Sequence, residues 1–244
     1  MADGIKVGEA YVEVHPDTKA FAKELDTQVE GVGKNASAKL GTLLAAGVFA
    51  AGTKSAIDSA KKLEQAVGGT TAVFKENSAQ IDAFAKSAAK NLGLSESAAR
   101  ELTAQIGGAL KGYGFDLDEA TEKSQMLASL GADLAATFGG ETTDAVMALS
   151  AALRGEFDPL ERYAIAINTT MIDQKAVALG LAESTTNVDQ HARAQAALAL
   201  IVERSGDAQG QFARESSTAS GASSIAAAEA ENSAAKLGTN LLPV

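Results

Sequence analysis

The chain has 244 residues, a formal net charge of −10 and a pI near 4.8, the reverse of the basic footprint by which proteins neutralise phosphates, so no specific nucleic-acid binding is expected. Hydrophobic residues make up 46% but aromatic ones only 5%, with no Trp. Alanine therefore carries much of the apolar content, and because it favours helix yet buries little area, stability should lean on self-association or an enclosing partner. The absence of Cys excludes disulfides and thiolate metal sites.

Met1 to Gly8 has no apolar stretch of the kind a secretory signal needs, so initial residence in the cytoplasm is expected. Gly8 to Val14 alternates apolar and polar residues and predicts a short strand that Pro16 stops. Asp17 can cap a helix bearing Phe21, Leu25, Val29 and Val32. Between Lys39 and Lys54 lies an uncharged run, Leu40 to Thr53, shorter than the roughly 20 residues that span a bilayer. Its small residues Gly41, Ala45, Gly47 and Ala51 would permit helix self-association. The rival reading of this run is a membrane-active segment.

From Gly68 to Gly155, glycines punctuate segments that each carry one apolar stripe at helical spacing. The stripes are Ile81, Phe84, Ala88, Leu92; then Leu102, Ile106, Leu110, Tyr113; then Leu127, Leu130, Leu134, Phe138; then Val146, Leu149, Leu153. Gly93 suits the left-handed position after a helix, Ser95 can cap the next, and Asp116 with Glu119 can form a capping box. Thr142 or Thr143 is expected to cap the fourth helix, and the glycine pairs beginning at Gly68, Gly107 and Gly139 read as helix breaks. Short loops between amphipathic helices imply a compact antiparallel unit.

Asp158-Pro159-Leu160-Glu161 combines an expected N-cap, a proline at the first helical position and a residue able to close a capping box, predicting one helical turn. Tyr163 to Ile167 alternates like a second small strand. Thr169 or Thr170 should open a helix ending at Leu179-Gly180, and helix should resume from Thr185. Ser205 to Ser224 reads as flexible or weakly packed, and Ile225 to Val244 as Ala-rich helix broken by Gly238. The expected fold class is all-α, with short amphipathic and longer Ala-rich helices and at most two very short strands. Four segments follow: 1–67, 68–155, 156–184 and 185–244.

Catalytic and metal chemistry find little support. His15 and His191 lie far apart with no ligand spacing around them. Glu156 and Asp158 could be imagined as an acid and base pair, but Asp158 is better read as a cap. Arg154, following the fourth helix, suits the negative end of its dipole. No nucleophile or phosphate-binding fingerprint occurs, so no cofactor and no enzymatic role are expected.

The run Ala151-Ala-Leu-Arg-Gly-Glu-Phe-Asp-Pro-Leu-Glu-Arg-Tyr163 resembles a stretch of phage tail tape measure proteins, in which a helix ends at Arg-Gly and a Pro-capped turn leads into a short apolar segment. Leu153, Arg154, Gly155, Glu156, Asp158, Pro159, Leu160 and Tyr163 carry this likeness. A second element, Ala208 to Arg214, is similar to that family's Gly-x-Phe-Ala-Arg through Gly210, Phe212 and Arg214. The stretch Lys236 to Val244 resembles its Leu-Gly-x-x-Leu-x-Pro-Val. Ala164 departs from the family's frequent glycine, which predicts an altered local turn. The resemblance implies the N-terminal portion of a longer scaffold lying in the lumen of the tail tube in the virion, and in the host cytoplasm during assembly. It also implies multiple copies, contact with tail tube protein and tail assembly chaperones, release ahead of DNA, and possible membrane action during ejection.

Overall fold

The computed structural model describes residues 49–241. The strand expected at Gly8 to Val14, the Asp17-capped helix, and Gly41, Ala45 and Gly47 lie outside those residues, while Ala51 falls in the first turn of helix α1 (Phe49–Phe74). Contacts divide the chain into Met1–Gly52 and Thr53–Val244. Among the described residues there are ten α-helices, one 3-10 turn and no strand, so the fold is all-α. No helix among them is long and apolar enough to cross a membrane.

The predicted stripes become packed faces. Helix α2 (Ser78–Leu92) buries Ile81, Ala88 and Leu92 and stops at Gly93, whose φ of 64° is left-handed. Ser95 then caps α3 (Glu96–Gly112), accepting from the Ala98 amide, and the α3 face includes Leu102, Ile106 and Leu110. Asp116 and Glu119 form the expected capping box on α4 (Leu117–Phe138). Phe138 does not join its stripe: it is 43% exposed at the end of α4. Two glycine pairs also differ from expectation. Gly68 and Gly69 lie inside α1, and Gly107 and Gly108 inside α3. At Gly107 a Cβ would collide with the fully buried Phe74 ring, so that glycine serves close packing rather than helix termination.

Helix α5 (Thr142–Leu153) turns Val146, Leu149 and Leu153 inward, but neither Thr142 nor Thr143 caps it. Glu141 occupies the N-cap without a side-chain bond, and the Thr142 hydroxyl instead donates to the Leu92 carbonyl at 3.2 Å, serving the open end of α2. After a one-turn helix, α6 (Asp158–Glu161), residues 165–168 run without regular structure. Tyr163, Ile165 and Ile167 are buried and Ala164 and Ala166 exposed, so the predicted alternation is real although no strand forms. The inward side chains find the helical core, and no second extended segment pairs with the backbone among the described residues.

Helix α7 (Thr169–Ala178) opens at Thr169, as expected, with Asn168 as its N-cap. Helix α8 (Gln190–Arg204) starts five residues later than expected, where Asp189 accepts from the Ala192 amide. Residues 183–187 are exposed and polar, with no apolar face to hold a helix against the core. The predicted weak segment holds α9 (Gln211–Glu215), whose Phe212 is buried. Finally α10 (Ala219–Leu241) runs through Gly238, because a Cβ there would collide with the Ala56 carbonyl of α1.

Helix α4 is central, touching α2, α3, α5 and α9. A single core cluster extends from Ala85 to Phe212 and draws on segments 68–155, 156–184 and 185–244 together. A close crossing within it sets Gly131 of α4 against α5, where a Cβ would stand 3.1 Å from the Val146 amide nitrogen and overlap the Val146 side chain. Gly131→Ala should lower unfolding free energy by about 1–3 kcal/mol through overpacking. Urea denaturation reads this directly, and unchanged or raised stability would contradict the close-crossing account.

Candidate functional site

The segment from Leu153 to Tyr163 is built from two helix stops in succession. At the end of α5, Gly155 takes φ 91°, and the Glu156 amide donates back to the Ala151 carbonyl at 3.0 Å. That six-to-one bond is the Schellman pattern, which satisfies carbonyls a helix end leaves open. Arg154 sits at the C-cap, as expected from the dipole; its guanidinium reaches the Ser150 carbonyl and the Glu156 carboxylate, each at 3.4 Å and exposed. Glu156 and Asp158 are both exposed, and Asp158 makes no cap bond. Phe157 holds the N-cap instead, with an αR backbone that precludes the usual side-chain capping geometry, while Pro159 pre-sets the first turn.

The second stop repeats the first. The Ile165 amide donates to the Leu160 carbonyl at 3.2 Å, and the residue in the left-handed position is Ala164, at φ 56°. Ala164 therefore holds the same kind of left-handed turn that Gly155 does, with the Cβ strain that an L-residue incurs there. Leu160 is fully buried and Tyr163 nearly so. The Tyr163 ring meets Phe138 edge-on at 6.4 Å and lies 5.7 Å from the Arg162 guanidinium carbon. Burial pushes the Tyr163 phenol above its ordinary value of 10.0.

The second motif converges on a residue that sequence reading passed over. Asp133 of α4 accepts from the Gly210 amide at 2.8 Å and from the Phe212 amide at 3.0 Å. Gly210 is left-handed at φ 76°, and the carboxylate holds the start of α9 so that Phe212 enters the core. Arg214 closes the turn from the other side, donating to the Gln211 side chain at 2.8 Å and the Gln209 carbonyl at 3.2 Å. No local pattern could have found Asp133, since its partners lie 77 and 79 residues away.

Several charged groups elsewhere pair with one another. Arg100, buried on α3, bridges Asp82 of α2 and Glu96, and hydrogen bonds from Lys86 and Arg100 hold the Asp82 carboxyl below its ordinary value of 3.8. His191 reaches the Tyr113 carbonyl through Nδ1 at 3.0 Å and Gln195 through Nε2 at 2.8 Å; His15 lies outside the described residues. Among the described residues no three His, Asp or Glu side chains gather as metal ligands. An open groove of about 510 Å³ runs between Lys62, Gln65, Ala66 and Gly69 of α1 and Glu101, Ala104 and Gln105 of α3. No family model, no curated protein and no solved structure matches the chain.

Two substitutions test this reading of the motifs. Ala164→Gly should raise unfolding free energy by about 0.5–1 kcal/mol by relieving the left-handed alanine; a lower denaturation midpoint would contradict it. Asp133→Ala, which strips two amides of their acceptor, should cost about 1–3 kcal/mol. No loss in the same denaturation assay would show that the α9 staple carries no weight.

Proposed function

We propose that this chain is the N-terminal portion of a phage tail tape measure protein, a scaffold around which tail tube subunits polymerise and which leaves ahead of the DNA. The observation that carries the reading is the ordered occurrence of three family-like elements, at residues 151–163, 208–214 and 236–244. The folded chain gives the first two coherent structural jobs: Leu153, Leu160, Tyr163 and Phe212 are buried, while Gly155 and Gly210 make left-handed turns. These are the roles expected where a motif specifies shape and not a reaction.

On this reading the protein works by geometry. Helical chain advances about 1.5 Å per residue, so chain length converts into tube length. A compact helical unit adds little length for its residue count, so it acts as an end piece while further helix in the same reading frame measures. Copies of the chain, tail tube protein and assembly chaperones are its partners, and its place is the tube lumen. In-frame deletions made in the encoding phage, outside this unit, should shorten tails by about 1.5 Å per residue removed. Electron microscopy of the mutant virions decides, and tails of unchanged length would overturn the assignment.

A further inference from the structure

Helix α1 contains a weak point that packing does not explain. At Gly107, Gly131, Gly221 and Gly238 an added Cβ would run into neighbouring atoms, so those glycines permit close approach. Gly68 and Gly69 have nothing within 4 Å of the position a Cβ would take, and two consecutive glycines in a helix interior each weaken it relative to alanine. The next two residues add to this. Thr70 donates its hydroxyl to the Ala66 and Val67 carbonyls, and Thr71 donates to Val67, a back-bonding that competes with the helix ladder and favours bending.

The two ends of α1 are held differently on either side of that point. Beyond it, Phe74 is fully buried against Gly107, and Lys111 donates to the Val73 carbonyl at 2.7 Å. Before it, residues 53–67 contribute only Ala56, Ala60 and Ala66 as buried side chains. Ala56 and Ala60 meet Gly238 of α10, while Lys62 reaches Glu231 in an exposed ion pair of 3.1 Å. Alanine and glycine bury little area, and exposed pairs contribute little.

We propose that residues 53–67 form an arm that leaves α10, opening about residues 66–71 and unwinding once detached, while the core from α2 to α9 stays folded. Glu231 keeps its bond from Ser97 at 3.0 Å, and Asn232 its bond from the Glu96 amide at 2.7 Å, so α10 remains tied to α3 when the arm leaves. The inference concerns the chain itself and stands apart from the tape measure reading.

Hydrogen–deuterium exchange on the full chain tests it. Amides of 53–67 should exchange faster than those of 99–110, and in Gly68→Ala/Gly69→Ala the arm should slow by about tenfold with 99–110 unchanged. Gly108→Ala, at an equally unpacked glycine of α3, should leave the arm alone. Gly238→Leu should do the reverse of the alanine pair, speeding exchange in 53–67 without loosening 99–110. A single common exchange rate for arm and core, an arm indifferent to the alanine pair, an arm slowed by Gly108→Ala, or a core that opens with the arm in Gly238→Leu would each overturn the hinge.

Discussion

The fold depends on how closely its helices can approach. A core poor in aromatics and rich in alanine cannot fill wide gaps between helices, because short side chains lose dispersion contacts as soon as a gap opens. Gly131 resolves this at the centre by letting α4 press onto Val146 of α5. Once that crossing is close, Leu127, Leu130 and Leu134 on the same helix are buried, and α4 can be surrounded by α2, α3, α5 and α9. The same device recurs at the rim, where Gly107 receives Phe74, Gly221 approaches the Glu215 carbonyl and Gly238 the Ala56 carbonyl. Close approach is what makes small side chains sufficient.

Such packing leaves little tolerance for stranded polar groups, and among the described residues every buried side-chain nitrogen and oxygen has a partner. Thr70, Thr103, Thr121, Ser124 and Ser205 bond to carbonyls of the preceding turn, and other side chains reach the ends of other helices. Thr142 satisfies the Leu92 carbonyl, Asp133 the start of α9, and Asn232 the start of α3. Helix termini carry several unpaired groups each, and a bundle of many short helices multiplies them. Long-range capping by side chains is therefore an architectural requirement here, and it ties sequence-distant segments into one cooperative unit.

What could be read from sequence follows the same division. Ser95, the Asp116 and Glu119 box, Gly93 and the leucine stripes act within one or two helical turns, so local pattern located them. Asp133, and Thr142 in its actual role, act across 50 residues or more, and sequence alone offers no register between such segments. Glycine misled for a related reason. Gly107 and Gly238 looked like helix breaks because local propensity disfavours them, whereas tertiary contact selects them. Gly68 and Gly69 have no such contact, so there the low helix propensity of glycine is not offset by packing. Tyr163 to Ile167 shows the limit of periodicity: it reports which side chains turn inward and says nothing about whether a backbone partner exists.

The same segment shows how backbone geometry can couple the residues of a short stretch. Two Schellman stops, closing on Ala151 and on Leu160, lie nine residues apart and separate α5 from a chain that continues extended. Each stop fixes the direction of the next element, and each needs a residue tolerant of the left-handed region. Gly155 meets that need freely, and Ala164 meets it under strain. Leu153, Leu160 and Tyr163 then have to be apolar because the two turns deliver them to the core, while Arg154, Glu156 and Asp158 stay at the surface. Spacing, glycine position and apolar identity are thus coupled by backbone geometry alone. A sequence pattern of this kind is a signature of shape.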